Sequence, residues 1–238
     1  MFRQVANAVE NNPQGSWYNV RMTRIQEDII IGTILGDIYI CRSQSGKTSI
    51  QIKQADRYKE YVFWLHRQLK DLFLSAPRQR KDNQQWYVNS SFSGELNRVH
   101  DIFYINRKKV IPKNIKDILI SPISLAVWFM DDGTLDYREK DHCAFHLCTN
   151  CFTKVEVRKL IDVLDSNFGI KSSLHYTLCR GKRHARIYIG ARGRERFIEL
   201  INPFVLNCFK YKLPTLYLAP QRLDPSGSDS TAVKNMVL

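Results

Sequence analysis

Residues 125–133 read Leu-Ala-Val-Trp-Phe-Met-Asp-Asp-Gly, a run of six apolar residues that ends in two carboxylates and a glycine. Ser121 is a candidate N-cap for this helix, and Pro122 suits its first position because no N–H is needed there. A helix that is apolar on all sides is a buried helix. Two acids at its C-terminus oppose the helix dipole, at roughly 0.3–1 kcal/mol each, which a bound cation would offset. Gly133 is expected in the left-handed conformation that closes a helix.

An earlier stretch repeats this arrangement. Thr23 followed by Gln26 is a capping-box pattern, and the apolar helix that it opens ends near Asp37. Gly32 and Gly36 are four residues apart, so they share one face and allow another helix to approach closely. Two buried helices that each deliver one carboxylate predict a duplicated fold in which two acids meet at the seam.

The elements that follow these two helices also repeat. Each half reads helix, hairpin, helix, hairpin, helix and then a lysine shortly before a proline. The sequence therefore predicts an α+β fold with two pseudo-symmetric αββαββα halves built on antiparallel sheets. The predicted divisions are a leader at 1–23, a first half at 24–118, a second half at 119–218 and a disordered tail at 219–238.

The charge balance points to a polyanionic partner. The 238 residues include 36 Lys and Arg against 23 Asp and Glu, which gives a net charge of +13. An excess of this size is typical of proteins that bind nucleic acid or an acidic membrane. No apolar run reaches the ~20 residues that span a bilayer. Because the basic residues are spread along the chain, they favour a broad nucleic-acid surface over a membrane.

Six cysteines at irregular spacing do not form a disulfide framework in a chain of this length. Cys148 and Cys151, with His142 and His146 upstream, could supply half of a zinc site, although no second pair follows. Residues 1–21 lack the apolar core of a secretory signal. We expect an intracellular protein, either in an organellar matrix (mitochondrion or chloroplast) or in a bacterial cytoplasm.

Several segments resemble the single-chain LAGLIDADG homing endonucleases. Residues 125–133 keep the leucine, the alanine and the terminal Asp-Gly of the family signature, and residues 30–38 keep a glycine and the acid Asp37. Val127 and Ile38 depart from the signature at positions that affect how closely the two helices approach. The shorter matching segments are Lys109-Val-Ile-Pro112, Tyr211-Lys-Leu-Pro214 and Arg186-Ile-Tyr-Ile189.

The resemblance implies an arrangement of the active site. The two motif helices would pack side by side at a pseudo-two-fold axis, with Asp37 and Asp132 binding divalent metal beside the scissile phosphates. Carboxylates suit Mg²⁺, and two or three ions shared between the two acids are expected. Lys109 and Lys212 best match the family's basic residues near each site. Asp131 is expected to be structural and stays outside this catalytic set.

The resemblance also implies that two curved sheets form a saddle over the DNA major groove. Strand alternation then selects side chains opposite apolar neighbours as DNA contacts. Arginine can read guanine and glutamine can read adenine, whereas other basic residues would hold phosphates; the alternation does not separate these roles. Trp64, Trp86 and Trp128 are expected in the core. The predicted DNA-binding residues are Gln51, Lys53, Arg78, Arg80, His184, Arg186 and Tyr188.

The predicted function is Mg²⁺-dependent cleavage of both strands of double-stranded DNA at a long, nearly non-palindromic site. A monomer with two different halves can recognise such a site, whereas a homodimer would require a palindrome. Two alternatives remain open. The same fold serves RNA maturases, which would make intron RNA a partner, and it occurs in non-catalytic DNA-binding regulators.

Overall fold

A computed structural model describes residues 21–138 and 141–214. Most of the predicted leader (1–23) and all of the predicted tail (219–238) lie outside these residues. The first half contains three helices and three hairpins. They are α1 (Arg24–Leu35), β1 (Tyr39–Arg42), β2 (Thr48–Gln54), α2 (Lys59–Gln68), β3 (Arg78–Gln79), β4 (Trp86–Asn89), α3 (Gly94–Phe103), β5 (Tyr104–Ile105) and β6 (Lys108–Lys109).

A short helix, α4 (Ile115–Ile118), connects this half to the second. The second half repeats the helices and the two main hairpins of the first. They are α5 (Pro122–Asp132), β7 (Gly133–Arg138), β8 (His142–Cys148), α6 (Lys154–Phe168), β9 (Ser173–Cys179), β10 (Lys182–Ile189) and α7 (Arg194–Ile201). Within the described residues, no helix is both long and apolar enough to cross a bilayer.

The two main sheets have the same topology. Their strand orders are β1-β2-β4-β3 and β7-β8-β10-β9, and every pairing is antiparallel. Helices α2 and α3 contact the first sheet, while α6 and α7 contact the second. Each half therefore follows the order αββαββα, and the predicted fold class is confirmed.

The starts of the helices follow local sequence signals. Thr23 and Gln26 form the predicted reciprocal capping box, with the Gln26 side chain accepting from the Thr23 N–H at 2.9 Å. Pro122 occupies the first turn of α5 as predicted, but Ser121 accepts no hydrogen bond from the described residues of that turn. The left-handed conformation predicted for Gly133 is wrong. Its φ is −82° and its ψ is 146°, because the chain passes from α5 directly into β7.

Helices α1 and α5 pack side by side and form the interface between the halves, here called the seam. A Cβ atom at Gly32 would lie 2.6 Å from the Ser124 carbonyl oxygen and 2.7 Å from Val127 Cβ. The Ser124 hydroxyl donates to the Asp28 carbonyl across the seam at 2.7 Å. Gly32 therefore allows the close approach at this point of the seam, and Val127 does not prevent it.

Aromatic side chains complete the core around the seam. Trp128 is fully buried, while Trp64 and Trp86 are partly buried against the core. The residue Phe209 of the second half stacks on Tyr58 of the first half, with ring centroids 4.8 Å apart. This contact fixes the segment 207–212 of the second half against the first half.

The hairpin β5–β6 contains a strained arginine. Asn106 and Arg107 form its two-residue turn with φ values of 50° and 63°, and glycine is preferred at the second position of such a turn. We expect Arg107→Gly to raise the free energy of unfolding by about 0.5–1 kcal/mol, because glycine removes the left-handed strain. Urea unfolding measures this change. Arg107→Ala keeps a Cβ and should give no gain; a Gly variant that is less stable than the unmodified protein would contradict the account.

Candidate active site

The seam brings the two predicted acids to the same end of the paired helices. Asp37 follows α1 after the C-cap Gly36, and Asp132 is the last residue of α5. Burial, with a second contribution from the Asp37 charge, raises the pKa of Asp132 to about 7, although Lys109 and Lys212 act in the opposite direction. Both acids therefore lie at the same end of the seam, where the charge of Asp37 acts on Asp132.

The two predicted lysines lie behind these acids. Lys109 Nζ donates to the carbonyls of Gly36 at 3.0 Å and Ile38 at 3.1 Å. Lys212 Nζ donates to Met130 at 2.6 Å and Phe129 at 3.4 Å. Each ammonium group thus satisfies carbonyls at the C-terminal end of one motif helix, where the dipole favours a cation. Burial lowers the pKa of both lysines.

A carboxyl group left outside the predicted catalytic set also lies at this centre. Asp131 Oδ2 accepts a hydrogen bond from the Asp37 N–H at 3.4 Å. Burial raises the pKa of Asp131 well above its usual range. Tyr61, from α2, is fully buried next to this carboxyl group. The predicted structural role of Asp131 agrees with this placement, but Tyr61 carries no sequence signal that would separate it from an ordinary core tyrosine.

The donor set at the seam suits a magnesium ion that binds together with nucleic acid. Among the described residues, no three His, Cys, Asp or Glu side chains are arranged to hold a metal ion. Of the residues considered for a zinc site, His142 lies 3.2 Å from the Asp136 carboxylate. Mg²⁺ normally takes only one or two protein carboxylates, with waters and phosphates supplying the other ligands. Asp37 and Asp132 provide that number.

The first sheet presents most of its predicted DNA contacts on its open face. Gln51 and Lys53 are exposed and alternate with the buried Ile50 and Ile52. A groove of about 650 Å³ is lined by both polar side chains and by Asp37. Strand alternation therefore predicts the orientation of β2 correctly and connects its open face to the acids.

The two predicted arginines of this sheet differ from each other. Arg78 is exposed and pairs across the strands with Tyr87, which in turn pairs with Lys53. Arg80 lies beyond the end of β3, where its guanidinium pairs with Asp82 at 2.7 Å. Arg78 thus belongs to the open face, whereas the charge of Arg80 is partly neutralised within its own turn.

The second sheet presents a different set of side chains. His184, Arg186 and Tyr188 alternate with buried residues along β10, as predicted. Tyr188 pairs with His146 of β8 and stacks on His175 of β9, with ring centroids 4.2 Å apart. The sequence interpretation missed both histidines. The position of His146 between the apolar Phe145 and Leu147 of β8 was the available signal for the first of them, although His146 is itself buried.

The raised pKa of Asp132 predicts how this residue affects stability in metal-free solution. Its folded-state pKa of about 7 exceeds the ~3.9 of an unfolded chain, so ionisation opposes folding, and stability is lost as the pH rises from about 4 to 7. We expect Asp132→Asn to raise the free energy of unfolding by about 1–2 kcal/mol at pH 8, with no gain at pH 4. Urea unfolding in EDTA measures the difference.

The matched control for this prediction is Asp162→Asn, which changes an exposed acid on α6 and should leave stability unchanged at both pH values. Equal stability of the Asp132→Asn variant and the unmodified protein at pH 8 would contradict the prediction.

The duplicated fold, the close-packed seam and the two helix-terminal acids define the class of protein. The sequence profile of the LAGLIDADG DNA endonuclease family matches residues 27–197. This chain belongs to that family.

Individual relatives are similar over most of the chain. "Probable intron-encoded endonuclease 1" of Wickerhamomyces canadensis is 31% identical over 81% of this chain and 85% of its own length. "Cytochrome b mRNA maturase bI2" of Debaryomyces hansenii is 30% identical over 82% of this chain and 76% of its own length. The structure of "the homing endonuclease I-WcaI bound to its DNA recognition sequence" superposes with a TM-score of 0.73 at 28% identity, covering 86% of this chain and 95% of that one.

Proposed function

We propose that this chain is a site-specific endonuclease that hydrolyses both strands of double-stranded DNA with Mg²⁺. The observation that carries the proposal is that Asp37 and Asp132 lie at the same end of the packed helices α1 and α5, where Lys109 and Lys212 donate to the carbonyls of the helix ends. The names of the relatives from W. canadensis and of I-WcaI support the same activity. Two carboxylates next to phosphates would weaken the DNA affinity of a protein that only binds DNA, because both groups are negatively charged.

The side chains at the seam have separable tasks in this reaction. Asp37 and Asp132 would hold two or three Mg²⁺ ions between the paired helices and the DNA. When bound, Mg²⁺ activates water as the nucleophile and stabilises the leaving oxygen. Lys109 and Lys212 place positive charge behind the acids and fix the backbone that carries them, which stabilises the negative charge that develops on the phosphate.

The two open sheet faces would select the DNA site. The open face of the first sheet presents Gln51, Lys53 and Arg78, whereas the open face of the second sheet presents His184, Arg186 and Tyr188. Because side-chain amides and guanidinium groups read different bases, the half-sites should differ too. We therefore propose that a monomer recognises a long, nearly non-palindromic sequence, with the remaining basic residues holding phosphates.

Cleavage of a randomised DNA library tests the proposal. The protein is incubated with the library in Mg²⁺, and the cut ends are sequenced, with a parallel incubation in EDTA. We expect one asymmetric consensus with both strands cut, and no cutting in EDTA. Absence of any enriched cut site in Mg²⁺ would contradict the proposed activity.

The relative from D. hansenii, whose name describes an mRNA maturase, favours a second candidate function. In that case the chain would bind intron RNA and assist its splicing, and the two activities can coexist. A splicing assay with the intron that hosts the gene tests this candidate. Splicing that persists in Asp37→Asn while DNA cleavage is lost would establish a maturase role independent of the acids, and unassisted splicing at the same rate would exclude it.

A further inference from the structure

The two halves differ at the residue that precedes each acid. Gly36 precedes Asp37, whereas Asp131 precedes Asp132, and these two unlike residues meet across the seam. A Cβ atom at Gly36 would lie 2.5 Å from Asp131 Cβ and 2.6 Å from its Oδ2. The carboxyl group of Asp131 therefore occupies the space that the glycine leaves open. Because Gly36 has no side chain, the first half cannot make the reciprocal contact to Asp132.

The Asp131 carboxyl group satisfies a backbone donor at the end of α1. The Gly36 N–H donates to the Gly32 carbonyl, and the Ile38 N–H donates to the Thr33 carbonyl. The intervening N–H belongs to Asp37, and its acceptor is Asp131 Oδ2 at 3.4 Å. A side chain of the second half thus fixes the backbone of the first half's acid at the point where that acid leaves its helix.

Tyr61 lines the same groove as the Asp131 carboxyl group. It lies on α2 with no exposed surface, and its hydroxyl is beside Asp131. This hydroxyl makes no hydrogen bond to any described residue. A buried phenol without another partner favours an orientation of Asp131 toward Tyr61 and the Asp37 amide.

We infer that Asp131 is a positioning residue that orients Asp37 but not Asp132, and that the two strand-cutting centres are therefore unequal. The expected difference in cleavage rate between the two strands rests on the proposed nuclease function. The hydrogen bond itself can be tested without DNA. In this arrangement the second half supplies its own acid and also the support for the other acid.

Two substitutions separate positioning from direct metal binding. Asp131→Asn keeps an oxygen that can accept the Asp37 N–H, whereas Asp131→Ala removes the acceptor. Single-turnover cleavage is followed on DNA with each strand labelled separately. We expect Asp131→Ala to slow one strand by about 10–100-fold, as is typical for loss of a group that orients a metal ligand, so that nicked DNA accumulates. Asp131→Asn should stay within about threefold of the unmodified protein on both strands.

A measurement without metal or DNA tests the hydrogen bond directly. In ¹⁵N–¹H spectra, the Asp37 amide proton should move upfield in Asp131→Ala and keep its position more closely in Asp131→Asn. Asp131→Ser, whose hydroxyl is too short to reach the amide, replaces the alanine variant if the latter does not fold. If the unmodified protein cuts no DNA, the nuclease proposal fails while the amide shift still decides the positioning role.

Two outcomes would overturn the inference. One is an unchanged Asp37 amide shift in Asp131→Ala. The other is a loss in Asp131→Asn as large as that in Asp131→Ala and equal on both strands, which would make Asp131 a metal ligand instead. Thermal unfolding of each variant shows that it is folded.

Discussion

Replacement of either Asp37 or Asp132 by asparagine is expected to reduce double-strand cleavage by about 10³-fold or more while specific DNA binding changes little. Asparagine keeps the size of the side chain and removes the charge that would hold Mg²⁺. Loss of the metal removes both water activation and leaving-group stabilisation, and a factor of 10³ corresponds to about 4 kcal/mol of barrier. The two acids lie at the same end of the paired helices, and a double-strand break requires both strands to be cut, so loss of either acid is expected to prevent it.

Cleavage of a supercoiled plasmid that carries the selected site measures this effect, and filter binding in Ca²⁺ measures affinity. Asp162→Asn, on the exposed side of α6, is the matched control and should cut normally. Full double-strand cleavage by either Asp37→Asn or Asp132→Asn would exclude the proposed roles of these acids. The same Asp132→Asn protein is expected to be more stable than the unmodified one at pH 8, so lost activity could not be attributed to unfolding.

Substitution of the lysines is the prediction with the next largest effect. We expect Lys109→Met or Lys212→Met to slow cleavage by about 10²–10³-fold at saturating DNA, a loss typical of one group that stabilises transition-state charge. Each lysine holds two carbonyl groups at the end of a motif helix. Methionine fills the same space but donates no hydrogen bond, so the carbonyls lose their donor and the acids lose a neighbouring positive charge.

Adjacent exposed lysines provide the controls. Lys108→Met and Lys210→Met change side chains that lie on the surface next to Lys109 and Lys212. They should alter DNA affinity and its salt dependence slightly and leave the single-turnover rate constant unchanged. If Lys108→Met slows cleavage as much as Lys109→Met does, general surface charge accounts for the effect, and the proposed role of Lys109 is wrong.

Features encoded in adjacent residues could be predicted from the sequence. The capping box of Thr23 and Gln26 and the apolar composition of α5 depend on residues within one or two helical turns. The repetition of these patterns in both halves predicted the duplication, and with it the meeting of the two acids. Gly32 indicated the close seam because a glycine on a buried face leaves room for a neighbouring backbone.

Features that depend on contacts distant in sequence could not be predicted. Gly133 resembles a helix-closing glycine, but the following strand pairs with β8 and draws its backbone into an extended conformation. The hydrogen bond from the Asp37 amide to Asp131 joins residues 94 positions apart. The turn at Asn106 and Arg107 was missed for a local reason instead, because it lacks the Asn-Gly pair that usually marks such turns.

The predicted DNA contacts show the same limit. Alternation along a single strand gave the correct side for Lys53 and Arg186, because one buried neighbour fixes the orientation of the next residue. The side chains that lie next to each other on neighbouring strands depend on the register of the strands. No local sequence pattern specifies the register of β8 or β9 against β10. The stacking of His175 on Tyr188 therefore emerged only from the structure.

A crystal structure of the complex with its selected DNA and Mn²⁺ tests the central claim most directly, because anomalous scattering locates Mn²⁺ without reference to the protein. We expect anomalous peaks at the seam, with carboxylate oxygens of both Asp37 and Asp132 about 2.2 Å from a metal ion that also contacts a phosphate oxygen. Anomalous peaks at other positions, with either carboxylate free of metal, would contradict it.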